Sequence, residues 1–267
     1  MPVTEQVVDV RGSAVRVLAD GEGSPLLYLH DEEDLGEWPA VLEGLSASFA
    51  VVRPDLAGFN GSAERPGCSS VHDLAFFMLD VMDALALERA SVVGAGLGGW
   101  LAADLATIEP GRVERLALVG ALGLRPPGGH ETDLFLLDPV QAATALYHTP
   151  SAVEQAVLAA ERLAGDLELH ARYLRNRAAM AHLGWNPYLH DPGLGHRLHR
   201  IAAPTLVVWG ADDRVVSSRT AERYAGGIGK ARTVTIAGTG HLPHLEAPEA
   251  VRAEIAPFLA ARTWGVA

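Results

Sequence analysis

The sequence predicts an α/β fold with a doubly wound, mostly parallel β-sheet and an inserted helical cap. Short, strongly apolar runs alternate with stretches in which apolar residues recur every three or four positions, a pattern typical of parallel strands joined by helices. The alternation stops between about residues 124 and 200, where only helical patterns occur, and then resumes. We therefore predict a core domain formed by residues 1–123 and 201–267, with a helical cap at residues 124–200 inserted into it.

The strands are predicted in order along the chain, beginning with a hairpin. Residues 7–10 and 14–18 are separated by a short Arg-Gly-Ser turn, which predicts two antiparallel strands. Leu26 and Val113 each begin a continuous apolar run that is typical of a strand buried on both faces. The later strands are predicted at residues 26–30, 49–52, 91–93, 113–119, 204–210 and 232–236.

Helices are predicted between the strands and throughout the cap. In the cap, Asp138 precedes Pro139 and Thr149 precedes Pro150. A capping residue followed by proline is typical of the first positions of a helix, so two cap helices are predicted to begin there. The helices of the core are predicted at residues 38–45, 71–85, 97–108, 217–225 and 248–259.

Composition limits the partners. The chain has 21 Lys+Arg and 33 Asp+Glu, a formal charge of −12, which disfavours nucleic acid and anionic membrane surfaces as partners. The single cysteine, Cys68, excludes an intrachain disulfide and a thiolate metal cluster, and we expect neither a metal nor a cofactor. No export signal and no apolar window of ~20 residues is visible. We expect a cytoplasmic protein with a small-molecule substrate or ligand, and a homo-oligomer stays open.

Several motifs occur in a characteristic order. Residues 29–30 (Leu-His) end the third strand, residues 94–98 (Gly-Ala-Gly-Leu-Gly) follow the next strand but one, and the helical insert follows the sixth strand. Residues 209–214 (Trp-Gly-Ala-Asp-Asp-Arg) and 238–241 (Gly-Thr-Gly-His) follow the last two strands. In the order and spacing of these motifs, the whole chain resembles the α/β-hydrolase fold superfamily with a cap domain.

The resemblance implies a site built in the chain order nucleophile, acid, histidine. Gly96 matches the nucleophile position, Asp213 the acid and His241 the histidine, with Asp212 and His244 as competing matches. Because Gly96 has no side chain, no covalent intermediate can form there. We expect the space left beneath His241 to accept a water molecule or a substrate atom.

The resemblance also implies where developing negative charge would be stabilised and how a ligand would be covered. The backbone donors would be the amides of Leu97 and Glu32. Asp31 stands where many relatives have glycine, so its carboxylate and that of Glu32 would disfavour a second negative charge, unless both belong to an acidic surface loop. Trp185 and the apolar residues 134–137 of the cap either cover an apolar ligand or pack the cap onto the core.

These observations predict an enzyme that acts on a small, largely apolar metabolite without a serine nucleophile. His241 and Asp213 would perform cofactor-free general acid/base chemistry, as a lyase, a cyclase or an atypical hydrolase. Two alternatives stay open. One is a catalytically silent ligand-binding protein of the same fold, and the other is a serine ester or C–C hydrolase in which an engineered substitution placed glycine at the nucleophile position.

Overall fold

An eight-stranded β-sheet forms the centre of the computed structural model, which describes residues 2–129 and 132–261. Each predicted strand is present, with small shifts at its ends. The strands are β1 (Thr4–Val10), β2 (Ser13–Asp20), β3 (Ser24–Leu29), β4 (Phe49–Pro54), β5 (Ala90–Ala95), β6 (Val113–Val119), β7 (Thr205–Gly210) and β8 (Ala231–Ile236). Residues 1 and 262–267 of the predicted core and residues 130 and 131 of the predicted cap lie outside the described residues.

The strand order is β1-β2-β4-β3-β5-β6-β7-β8. The predicted hairpin of β1 and β2 is present, β2 pairs antiparallel with β4, and the remaining pairs are parallel, which confirms the prediction of a mostly parallel sheet. From β3 the chain crosses to β4 on one side and then to β5 on the other. The loops after β3 and β5 therefore flank a switch point at the carboxyl edge, where open α/β sheets bind ligands.

Helices cover both faces of the sheet, as a doubly wound fold requires. They are α1 (Ala40–Ser46), α2 (Val71–Ala84), α3 (Gly96–Ile108), α4 (Pro139–Leu146), α5 (Pro150–Leu163), α6 (Leu167–Gly184), α7 (Leu194–Arg197), α8 (Arg219–Gly227), α9 (Pro243–Glu246) and α10 (Pro248–Ala260). One buried cluster packs α2 and α3 on the sheet, and a second packs α1 and α10 on the other face. In the described part of the chain, no helix combines the length and apolarity needed to cross a membrane.

The first helix starts later than predicted. Its N-cap is Pro39, whose backbone is extended with φ −74° and ψ 151°, and the helix begins at Ala40. The predicted start at Trp38 is wrong because a residue that precedes proline avoids the helical region.

Residues 124–200 lie between β6 and β7 and form α4 to α7. Among the described residues of this segment there are helices and turns but no strand, apart from an isolated bridge between Gly123 and His190. α4 begins where predicted, with Asp138 and Gln141 forming a reciprocal capping box. α5 also begins where predicted, at Pro150. The assignment of the segment as a separate cap stays a prediction.

Candidate active site

The turn between β5 and α3 has the sharp geometry that its glycines indicate. Gly96 has φ +51°, in the left-handed region that favours glycine. A Cβ on Gly98 would collide with the carbonyl oxygens of Leu29 and His30, so the helix approaches the end of β3 closely. The turn thus sits at the carboxyl edge of the sheet, at the switch point, and Gly96 at its centre offers no side chain.

The carboxylate of Glu32 occupies the space above this turn. Its Oε2 accepts a hydrogen bond of 2.9 Å from the backbone amide of Leu97, and a Cβ built on Gly96 would collide with the same oxygen. Asp31 and Glu32 are 1% and 2% exposed. The expectation of vacant space beneath the histidine and the alternative of an acidic surface loop are therefore both wrong. The space that a side chain on Gly96 would fill is occupied by the side chain of Glu32, which comes from the loop after β3.

Glu32 also completes a row of three charged groups. His241, which follows β8, places Nδ1 2.9 Å from Oδ2 of Asp213 and Nε2 3.1 Å from Oε1 of Glu32. Asp213, which follows β7, is oriented by the amides of Val215 and Val216, which donate to its Oδ1 at 2.8 and 2.9 Å. The three functional side chains are at most 1% exposed. The structure thus brings together His241, Asp213 and the elbow, and adds the side chain of Glu32.

The competing aspartate lies elsewhere. The side chain of Asp212 is 40% exposed, and its carboxylate lies 3.7 Å from Nε2 of His148. Asp213 is therefore the aspartate that contacts His241.

The charge state of His241 follows from its two carboxylates. Burial by itself lowers the pKa of an imidazole, but the charges and hydrogen bonds of Asp213 and Glu32 raise the pKa of His241 from 6.5 to about 10. At neutral pH the ring is an imidazolium that donates from both nitrogens. The site is thus a carboxylate, an imidazolium and a second carboxylate in a row, sealed from solvent.

A second buried histidine lies nearby. His244, in α9, places Nε2 2.9 Å from Oδ2 of Asp31, and Oδ1 of Asp31 accepts from the amide of Glu33 at 2.9 Å. Burial raises the pKa of Asp31, but the hydrogen bond and charge of His244 outweigh it, so the net shift is downward. Nδ1 of His244 has no hydrogen-bond partner within the described residues. Asp31 therefore serves this second pair, and its carboxylate is turned to His244.

Three side chains that could bind a metal ion are already paired with other groups of the protein. Oxygen and nitrogen atoms of His30, Asp34 and Asp55 lie within 4.8 Å of one another. Arg53 forms ion pairs with both carboxylates, and Nε2 of His30 accepts from the amide of Leu56 at 3.0 Å. The donor atoms are thus engaged in a buried ion-pair network that supports the loop after β3.

Glu33 is a site residue that the sequence analysis missed. It lines a cavity of about 120 Å³ between α4, α5, α6 and the loop after β3. Burial raises the pKa of Glu33 to about 7, assisted by Glu32 and Asp31 and opposed by Arg177. The signal was the run of four acids directly after a buried strand, of which only the first two were assigned a role. The other lining residues are Leu35, Pro139, Ala143, Leu146, Tyr147, Ala156, Ala159, Ala160, Leu163 and Tyr173.

Glu246, also missed, joins the loop of His241 to the helical segment. Its carboxylate accepts from the amide of Gly240 at 2.7 Å, from the amide of His148 at 3.0 Å, and from the amide and hydroxyl of Thr149 at 2.5 and 2.8 Å. In addition, the amide of His241 donates to the carbonyl of Leu146 at 2.8 Å. The histidine loop is therefore fixed to the junction of α4 and α5.

Trp185 does not lie where a residue that covers a ligand in this cavity would lie. Trp185 is 57% exposed, and its ring lies 5.4 Å from the ring of Phe135. It is not among the residues that line the cavity beside Glu33. The structure does not bring Trp185 to the group of His241 and Glu32.

Known proteins resemble this chain over most of its length. Residues 32–248 match the model of the α/β-hydrolase fold family. The chain is 29% identical over 250 residues to the dihydrolipoyllysine-residue acetyltransferase component of an acetoin cleaving system from Cupriavidus necator, with 90% of this chain and 65% of that protein covered. It is 27% identical over 260 residues to 2-hydroxymuconate semialdehyde hydrolase from Pseudomonas sp. strain CF600, with 90% and 88% covered.

The fold is also found among solved structures. A bacterial membrane phospholipase A described as a virulence factor superposes with a TM-score of 0.81 at 24% identity, over 96% of this chain and 86% of that chain. This likeness concerns the fold, whereas the family match covers most of the sequence. The chain belongs to the α/β-hydrolase fold family.

Proposed function

We propose that the protein is an enzyme that transfers protons on a small, largely apolar molecule, using Glu32, His241 and Asp213 without a serine nucleophile. The observation that carries the proposal is the position of Glu32. Its carboxylate contacts both the amide of Leu97 and the imidazole of His241, where a side chain on Gly96 would otherwise lie. A carboxylate beside a charged imidazole supplies a proton acceptor and a proton donor in one buried site.

The proposed cycle needs only these groups. Glu32 takes a proton from a substrate carbon or hydroxyl, and His241 gives its Nε2 proton to the substrate oxygen on which negative charge accumulates. Asp213 keeps its hydrogen bond to Nδ1, which holds the imidazole in its orientation in both protonation states. The proton on Glu32 then passes to Nε2 across their 3.1 Å hydrogen bond, and both groups return to their starting state. An enolisation, an elimination or a retro-aldol cleavage requires no more than these transfers.

Carbonyl compounds are the substrate class that we propose. A carbonyl group makes the neighbouring C–H bond acidic and provides the oxygen that His241 would protonate. One relative is named for a semialdehyde, which is a carbonyl compound. Properly placed acid and base groups each contribute about 10²- to 10⁴-fold to such a reaction.

The contact between Glu32 and the elbow disfavours an engineered loss of serine. A serine at position 96 would place its Cβ in the Glu32 carboxylate, so restoring serine alone would not rebuild a serine hydrolase. A catalytically silent binding protein would not require a buried imidazolium between Glu32 and Asp213. The following experiment distinguishes such a protein from the proposed enzyme.

The test is deuterium exchange in D₂O. Small ketones and aldehydes carrying an aromatic or alicyclic ring are incubated with the protein, and loss of the proton next to the carbonyl is followed by NMR. We expect the protein to accelerate exchange, and Glu32→Gln to reduce the acceleration by about 10²-fold or more, since the amide cannot accept the proton. The control is Glu161→Gln, which changes an exposed acid on α5.

Each other result has a defined meaning. Exchange that persists in Glu32→Gln would contradict the role of Glu32 as the base. Binding of probes without any exchange would favour the silent binding protein. Hydrolysis of p-nitrophenyl esters at a rate that depends on His241 but not on Glu32 would favour hydrolytic chemistry.

A further inference from the structure

The cavity between the loop after β3 and helices α4 to α6 has a single charged group in its wall, and one of its lining residues, Leu146, accepts the amide proton of His241. It has a volume of about 120 Å³, and of its lining residues only Glu33 is ionisable near neutral pH. The opposite wall is formed by alanines of α5, including Ala156 and Ala160. An enclosed apolar cavity of about 150 Å³ binds benzene. This cavity is smaller but open to solvent beside the exposed Ala159, so a molecule of similar size would enter it with part of its surface in water. The apolar walls of this cavity therefore favour a small hydrocarbon group, and the carboxylate of Glu33 determines which polar group that hydrocarbon can carry.

Glu33 is poorly compensated by the protein. The nearest cation is Arg177, whose Nη1 lies 3.5 Å from Oε1 of Glu33, longer than the 2.7–2.9 Å typical of charge-assisted hydrogen bonds. Nη2 of Arg177 donates to the carbonyl of Leu134 at 2.7 Å, and the guanidinium lies over the ring of Phe135 at 5.8 Å. Arg177 is therefore held by other partners, which leaves Glu33 able to take a closer cation.

Other acidic side chains lie near Glu33, on the loop after β3. Asp31 and Glu32 precede Glu33 in the chain, and each is engaged by its own histidine. The pKa of Tyr147, a lining residue, is raised by burial and by the charges of Asp31, Glu33, Glu246 and Glu32. Negative potential of this kind opposes a carboxylate ligand and favours a cation.

We propose that this cavity binds a small apolar molecule through its protonated amine, with the ammonium on Glu33 and the hydrocarbon body against the alanines of α5. The identification of that molecule as the substrate rests on the proposed function. The substrate of the Glu32 and His241 group is then a carbonyl compound that also carries an amine, with a ring or branched chain of about benzene size. Glu33 is the specificity-determining residue, and Glu32 keeps its contacts with the Leu97 amide and with His241.

Three ligands of matched size test the proposal. Binding of benzylamine, benzyl alcohol and benzoate is measured by calorimetry at pH 8, where an alkylammonium is charged and Glu33 is ionised. We expect benzylamine to bind about tenfold or more tightly than benzyl alcohol, because a hydrogen bond between charged groups is stronger than a neutral one, and benzoate to bind most weakly.

Three variants locate the site. Glu33→Gln should weaken benzylamine binding about tenfold and leave benzyl alcohol unchanged. Ala156→Leu, which fills the cavity, should weaken both ligands, whereas Glu161→Gln on the exposed side of α5 should change neither. Thermal unfolding of each variant establishes that it is folded.

The proposal is overturned if the alcohol or benzoate binds as tightly as the amine, if Glu33→Gln leaves amine binding unchanged, or if none of the three ligands binds. Its failure is distinguishable from failure of the proposed function. Amine binding without deuterium exchange would sink only the proton-transfer proposal, and exchange in neutral ketones without amine preference would sink only this one.

Discussion

His241 and His244 are three residues apart, and a ring nitrogen of each lies 2.9 Å from a carboxylate oxygen of a buried aspartate. Their difference lies at the second ring nitrogen. Nε2 of His241 meets the carboxylate of Glu32 at 3.1 Å, whereas Nδ1 of His244 has no hydrogen-bond partner among residues 2–129 and 132–261. One ring is therefore bound on both sides, and the other on one side.

The comparison shows that a buried histidine and aspartate do not by themselves define a proton-transfer site. The pair of Asp31 and His244 fixes the start of the loop after β3, because Asp31 also accepts from the amide of Glu33. The intervening Glu32 is thereby held between two anchored neighbours and directed at the elbow. We interpret Asp31 and His244 as positioning residues for the carboxylate that contacts His241.

The largest expected effect separates the two histidines by activity. His241→Gln should reduce deuterium exchange by about 10²- to 10⁴-fold, because the proton donor is removed. His244→Gln should reduce exchange by at most about tenfold, because His244 acts on Glu32 only through Asp31, and the amide of glutamine can still donate to Asp31. Both rates are measured by NMR on the same ketone probes. Equal losses in the two variants would remove the distinction drawn between the pairs.

The next effect tests the contact that makes the pairs different. Gly96→Ser should destabilise the protein by about 2–5 kcal/mol, combining the strain of a positive φ with the collision against Glu32. Urea unfolding provides the measurement. Gly238→Ser is the matched control, because Gly238 also has a positive φ, +67°, but open space around its Cβ position, and it should show only the strain.

A double variant completes this test. Added to Glu32→Gly, Gly96→Ser should cost only the strain of the positive φ, because the carboxylate that it would meet is gone. A cost as large as in the unmodified protein would mean that Glu32 does not occupy the position above the elbow.

A smaller effect concerns the alkaline limit of stability. The folded-state pKa of His241 is about 10, above its ordinary 6.5, so its stabilising contribution is complete below pH 6.5 and is lost as pH rises through 10. The expected slope is at most about 1.4 kcal/mol per pH unit for this single proton. Urea unfolding between pH 7 and 10 should show the loss in the unmodified protein and in His244→Gln. If His241→Gln showed the same decrease of unfolding free energy with pH, the decrease would belong to another titrating group.

The smallest effect is expected at the acid limit, on the other pair. The folded-state pKa of Asp31 lies below its ordinary 3.8, so its contribution is present above pH 3.8 and is lost as pH falls through the folded value. Asp31→Asn should raise the pH at which acid unfolds the protein and leave the alkaline slope unchanged. Circular dichroism during acid titration measures this, and an altered alkaline slope would mean that the two pairs are coupled.

Most of the fold could be predicted from the sequence because burial imposes a local pattern. The continuous apolar runs of β3 and β6 and the cap-and-proline starts at Asp138 and Thr149 are local signals, and the structure confirms them. The start of α1 was misplaced because proline acts on the residue before it, which periodicity alone does not register.

The site was less predictable because its decisive contact joins residues 209 positions apart in the chain. The order of motifs indicated Gly96, Asp213 and His241, but no local pattern says that the side chain of Glu32 turns inward to the elbow. An acidic run more often faces water, and the burial of this one is compensated by partners from other parts of the chain, namely His241, His244, Arg177 and Arg53. Long-range pairing of this kind is specified by the tertiary structure.

Glu246 links the site to the helices above it in a way that hydrogen exchange would register. Its single carboxylate accepts the amide protons of Gly240, His148 and Thr149. Separation of the helical segment from the histidine loop would release the amides of His148 and Thr149 together with that of His241, which donates to the carbonyl of Leu146. These protons should therefore exchange with solvent as one cooperative unit. The rate of that opening sets an upper limit on how fast any molecule that enters between α4 and the histidine loop can reach or leave the site.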